Sequence, residues 1–190
     1  MTDFLPGLAE SLAAPACIFS SCNKYRYTLW RSLRPYTPMK LGTCVFIMLN
    51  PSTADTAKND PTVRRCVGYA SDWGYAQLLV LNAFAFRGTD PKDMLAADDP
   101  IGDLNDYWFQ ELLDPKKQKP PKVTQVVVAW GKDGTHRDRD EGVLQLLGDL
   151  GITPHCLGTN QDGTPRHPLY LRKDLKPTPY LGRDHHRTEK

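Results

Sequence analysis

The chain has 190 residues, 40% of them hydrophobic and 24% charged, which suits one domain with a substantial core and strains any division into two. Its formal net charge of +2 is too small to demand a polyanionic partner. No run approaches the ~18 apolar residues of a membrane-crossing helix, and the N-terminus lacks a basic stretch followed by an apolar one, so a cytoplasmic, membrane-free protein is expected.

Residues 1–15 read as an irregular arm, 16–175 as a single α/β domain and 176–190 as a basic tail. Cys17–Phe19 and Tyr25–Trp30 carry strand-type residues around Ser20-Ser21-Cys22-Asn23-Lys24 and predict a hairpin. Arg34–Lys40 is a proline-bearing loop. Cys44-Val45-Phe46-Ile47-Met48-Leu49 is apolar without alternation, the pattern of a strand buried on both faces. It stops at Asn50-Pro51, and the chain stays polar to Asn59. Asp60-Pro61 then opens a helix, Asp60 as N-cap and Pro61 in the first turn, running through Val63, Val67 and Tyr69 to Gly74. Leu78–Asn82 is a second buried strand, followed by a long connection to Asp99 that contains Arg87.

Asn105–Leu113 predicts a helix, Val123–Trp130 a third strand, Asp140–Leu150 an amphipathic helix closed by Gly151, and Thr153–Leu157 a fourth strand. Gly158–Leu171 is loop and carries Arg166-His167-Pro168. The alternation predicts a three-layer α/β/α sandwich around a mostly parallel sheet of about four to five strands, with the hairpin at its N-terminal side. Ligands of such sheets bind at the carboxyl ends of the strands. Here those ends are Asn50, Asn82, Trp130-Gly131 and the loop of His167.

These positions carry useful chemistry. Asn50 offers a donor and an acceptor for a water or a base edge, Pro51 stiffens the turn, and Ser52, Thr53 and Asp55 add polar groups. The same residues also suit a plain strand-ending turn. Asp60 is a cap, a catalytic acid, or both. Arg64 or Arg65, a turn into that helix, suits a phosphate or carboxylate, as does Arg87. His167 can donate to a developing anion or move a proton.

No phosphate-cradling glycine motif, zinc-protease motif or nucleophile elbow is present, and His136 and His185-His186 lack ligand partners. The five cysteines (17, 22, 44, 66 and 156) are scattered and odd in number, so free thiols are expected rather than disulfides. Neither a metal nor another cofactor is expected. From Gly163 onward seven Lys or Arg face three acids, a composition that suits phosphate contact or a solvated terminus.

The ordered set Phe46–Asp55, Asn59-Asp60-Pro61-Thr62, Leu81–Arg87, Ala129-Trp130-Gly131 and Gly163–Leu171 resembles the DUF1643 family of bacteria and phages, over roughly residues 17 to 172. More distantly, it is similar to the uracil-DNA glycosylase superfamily. That resemblance implies a glycosylase-like fold and nucleobase chemistry. Met48-Leu49-Asn50-Pro51-Ser52 would match the water-holding loop, with Asn50 on the water. Asn82 would match the base-reading asparagine, Trp130-Gly131 the W-G strand end, and His167 the histidine that meets the leaving base. Met48 and Ser52 stand where that loop has glycines, and Leu169-Tyr170 replaces S-P in the last loop. The resemblance implies N-glycosidic hydrolysis on a nucleic acid or free nucleotide. A non-catalytic nucleotide- or nucleic-acid-binding module, or a different small-molecule enzyme using the same pocket, are the alternatives.

Overall fold

The computed structural model describes residues 16–33, 40–120 and 122–183. The expected arm over 1–15, residues 34–39 of the proline-bearing loop and the end of the tail, with His185-His186, lie outside them.

β1 (Cys17–Phe19) and β2 (Arg26–Ser32) form the antiparallel hairpin. β3 (Lys40–Met48) and β4 (Tyr75–Asn82) extend further back than their apolar cores, and β5 is Val123–Val128. The sheet runs in the order β1-β2-β4-β3-β5-β6-β7, where β6 (His155–Cys156) and β7 (Thr178–Pro179) have two residues each. It is therefore a seven-stranded mixed sheet, not a mostly parallel one of four to five strands. Only β3/β4, β3/β5 and β5/β6 pair in parallel.

The added strands come from segments read as peripheral. The hairpin pairs with β4 through Leu29 opposite Val80. Thr178-Pro179, expected in the tail, pairs with β6, and Tyr180 beside it is buried. Each covers backbone groups that would otherwise form an open sheet edge.

Alternate residues of β3 enter separate clusters, as its unbroken apolar run requires. Cys44, Phe46 and Met48 pack with α1 (Pro61–Asp72), where Trp73 stacks on Phe46 at 5.9 Å and 12°. Val45 and Ile47 pack with α3 (Asn105–Leu113) and α4 (Arg139–Asp149) through Phe109, Leu113, Val143 and Leu147. Asp60 caps α1, accepting from the Val63 N–H at 2.7 Å. The same Asp-Pro device opens the five-residue α2 (Pro91–Leu95), which lies inside the long connection expected up to Asp99. Among the described residues no helix is long and apolar enough to cross a membrane.

Candidate functional site at the strand ends

Met48 lies opposite Asn82, and Ile47 opposite Val128. This register releases Asn50, Asn82 and Trp130 from their strands at one level. There they meet the turn at 167–170 around a cavity of about 410 Å³. Asn50, Ser52, Asp60, Asn82, Trp130 and His167 line it, with Gly131.

Asn82 ends β4 and is 1% exposed, yet neither atom of its side-chain amide has a hydrogen-bond partner among the described residues. Buried amides are nearly always bonded, so this one is left for whatever enters the cavity. Its backbone is braced from below. Asn105 donates to the carbonyls of Asn82 (3.0 Å) and Ala83 (3.1 Å), and Arg139 donates to Ala83 at 2.7 Å while paired with Asp106.

Asn50 is differently placed. Its amide N–H groups donate to the carbonyl of Gly88 at 3.0 Å and, at greater length, to those of Pro51 and Phe86. Its Nδ2 therefore ties the end of β3 to the loop after β4, and Oδ1 remains as the acceptor. Asp60 likewise spends Oδ1 on capping α1 and keeps Oδ2.

His167 precedes a short 3₁₀ turn at Pro168–Tyr170 and accepts at Nδ1 from the Leu169 N–H, 3.4 Å away. That bond assigns the ring proton to Nε2. Burial pushes the imidazole below its ordinary value, with Asp60 opposing, so the ring is neutral at pH 7. Arg65 holds this turn to α1, donating to the carbonyls of Pro168 and Leu171 and stacking on Tyr69 at 4.9 Å.

Trp130 is buried with its indole N–H unpartnered among the described residues. The chain passes beside it only because position 134 is glycine; a Cβ there would lie 2.0 Å from the indole. Gly131 sits at φ +74°, a conformation costly for other residues, and donates to the Pro165 carbonyl at 3.0 Å.

The remaining sequence candidates lie elsewhere. Thr53 and Arg87 line a second cavity of about 580 Å³, which shares Ser52, Gly88 and Thr89 with the first. Pro51 is buried, its carbonyl accepting from the Gly88 N–H at 3.0 Å. Asp55 shapes a turn, accepting from the N–H groups of Ala57 and Lys58 at 2.8 Å each. These bonds hold its carboxyl below the usual range. Arg64 is exposed and donates to the Asn59 carbonyl, and Arg166 is exposed; neither lines the cavity.

The cavity also has residues the sequence reading did not select, among them Lys132, Asp133 and Arg26. Arg26 is 2% exposed and donates to the Ala54 carbonyl at 2.7 Å. Burial pulls its guanidinium down to about 10, and it stays charged at pH 7. No local signal marked it, since Arg26 stands in the strand-type Tyr25–Trp30 run as an exposed hairpin arginine would. Among the described residues no cluster of three or more His, Cys, Asp or Glu could hold a metal ion.

No curated protein and no solved structure matches the chain. The family described as protein of unknown function (DUF1643) matches it over residues 26–169. That span runs from the arginine on the cavity wall to the turn after His167, and the chain belongs to the DUF1643 family.

Proposed function

We propose that the protein is a nucleobase-processing enzyme that hydrolyses an N-glycosidic bond of a nucleotide or nucleic acid in the strand-end cavity. The observation that carries this reading is the gathering of Asn50, Asp60, Asn82 and His167 on one cavity. Its volume falls in the ordinary small-molecule range. On this reading the helices on both sheet faces form the α/β/α layers of a uracil-DNA glycosylase-like fold, working in the cytoplasm without a cofactor.

Asn50 Oδ1 and the free carboxylate oxygen of Asp60 hold a water. The water oxygen bonds to the sugar C1′, the C1′–N bond breaks with its electron pair leaving on the base, and Asp60 takes the proton. Asn82 and the Nε2–H of His167 donate to the departing anion, an effect worth about 3 kcal/mol for each well-placed donor. A neutral histidine suits this role, because it can donate a hydrogen bond without having to lose a charge.

A second reading is a non-catalytic nucleotide- or nucleic-acid-binding module of the same fold. It is favoured by the commitment of the Asn50 N–H groups to backbone carbonyls. The test incubates the protein with single- and double-stranded DNA carrying uracil or other altered bases, and with free nucleotides, and detects released base by mass spectrometry. Asn82→Ala is the control, since the Asn82 side chain has no hydrogen-bond partner to lose among the described residues. Release reduced about 10²–10³-fold in the variant supports the enzyme. Salt-dependent binding without release supports the module. Neither release nor binding overturns both.

A further inference from the structure

We propose that Arg26 makes the strand-end cavity a receptor for an oxyanion, so that the ligand carries a carboxylate or phosphate into the wall formed by β2. This goes beyond the proposed reaction, because it concerns the charge of the ligand and holds whether or not a bond is broken.

Other arginines of the described chain spend their donors within the fold. Arg31, also on β2, donates through Nε to Asn59 Oδ1 at 2.6 Å, through Nη1 to Trp30 O at 2.8 Å and through Nη2 to Asp55 O at 2.5 Å. Arg139 is paired with Asp106 and bonded to Ala83 O. Arg65 is spent on the turn after His167. Each is a structural brace.

Arg26 is more deeply buried than Arg31, yet among the described residues a single hydrogen bond, to the Ala54 carbonyl, engages its guanidinium. Its Nε is buried without a partner, and it forms no ion pair among the described residues. A buried guanidinium normally demands a carboxylate and several acceptors, and a fork of five donors recognises oxyanions in a bidentate manner. Asp60 lies near enough to attract it but not to pair with it. Arg26 lines the cavity instead.

Other groups point to the same chemistry. The Asn82 amide, also on this cavity and 1% exposed, has neither atom bonded. The Nε of Arg87 is buried and unpartnered as well, and Arg87 lines the adjoining cavity, close enough for the guanidinium groups to repel each other. Asp60 attracts Arg26 more than either Arg87 or Arg31 repels it, but it forms no ion pair with Arg26 among the described residues, so the cost of burying the guanidinium is only partly offset in the free protein. An oxyanion relieves that cost.

The test is calorimetric titration of the full chain at neutral pH with matched pairs: 6-carboxyuracil against uracil, and deoxyuridine monophosphate against deoxyuridine. Inorganic phosphate is titrated separately at constant ionic strength. The anionic member of at least one pair is expected to bind tenfold or more tighter than its neutral partner, with Arg26→Gln erasing the gap. A gap in the first pair alone assigns the oxyanion to the base, and in the second alone to a phosphate ester. Phosphate binding lost in Arg26→Gln supports a general oxyanion site. Should Arg26→Gln fail to fold, Arg26→Lys replaces it, and a gap reduced severalfold supports the proposal. No gap in either wild-type pair, or a gap unchanged in the folded variant, overturns it. Base release without anionic preference removes the oxyanion receptor and leaves the proposed reaction. Anionic preference without release does the reverse.

Discussion

At the scale of single residues, the site separates groups that build the protein from groups left over for a ligand. Asp60 belongs to both classes, with one oxygen on the Val63 N–H and the other free. Serine caps a helix about as well as aspartate. Asp60→Ser is therefore expected to cost no more than about 0.5–1 kcal/mol, the part due to lost charge at the helix N-terminus, while base release falls at least tenfold. Denaturant titration beside the release assay checks both halves; retained release would assign Asp60 to capping alone. His167 sets a pH dependence. The unfolded imidazole titrates near the ordinary value of 6.5, and burial lowers it in the fold. The unfolded chain thus binds the proton more readily, so stability is lost as pH falls from 6.5 through the lowered value and is unaffected above it. Unfolding midpoints measured against pH should drop on the acid side in the wild type and less in His167→Gln. From the sequence, Asn82 and His167 were legible as candidates because each ends or follows a strong pattern. Arg26 was not, since nothing local tells a buried arginine from one at the surface of a hairpin.

At the scale of elements, α1 both packs the sheet and carries the clasp on the histidine turn. The Asp60-Pro61 signal placed its start, and the aromatic stack of Phe46, Tyr69 and Trp73 explains why that face is buried. Arg65 then reaches from α1 to the carbonyls of Pro168 and Leu171. Arg65→Ala is expected to cost about 1–2 kcal/mol from the lost hydrogen bonds and ring contact. Base release should fall with it, because His167 loses its support. Chemical denaturation measures the first effect; a variant with unaltered release would show that the turn holds its place without the clasp. Of the paired arginines in this helix, the sequence made both candidates for an anion. The structure gives Arg65 to the turn and leaves Arg64 exposed on the Asn59 carbonyl. The helix at 105–113 was legible from its periodicity. The helix at 91–95 was not, because five residues are too short to show a period.

At the scale of the whole molecule, the hairpin completes both the sheet and the site. It covers β4 through the Leu29–Val80 register and delivers Arg26 to the cavity. A chain starting after residue 33 would expose β4 as a bare apolar edge, and such edges aggregate. Its soluble fraction and light scattering should show more aggregation than the full chain does; a soluble, cooperatively folding product would count against this role for the hairpin. What the sequence determined by itself was burial and order. The apolar runs at 44–49, 78–81 and 126–129 read as interior strands, the first two ended by Asn50 and Asn82. Only the tertiary structure decided which edges the hairpin and Thr178-Pro179 would cover, and which polar groups would find partners. The reason is physical. Hydrophobic patterning is local and repeats along the chain, whereas pairing and hydrogen-bond satisfaction depend on segments far apart in sequence meeting in one register.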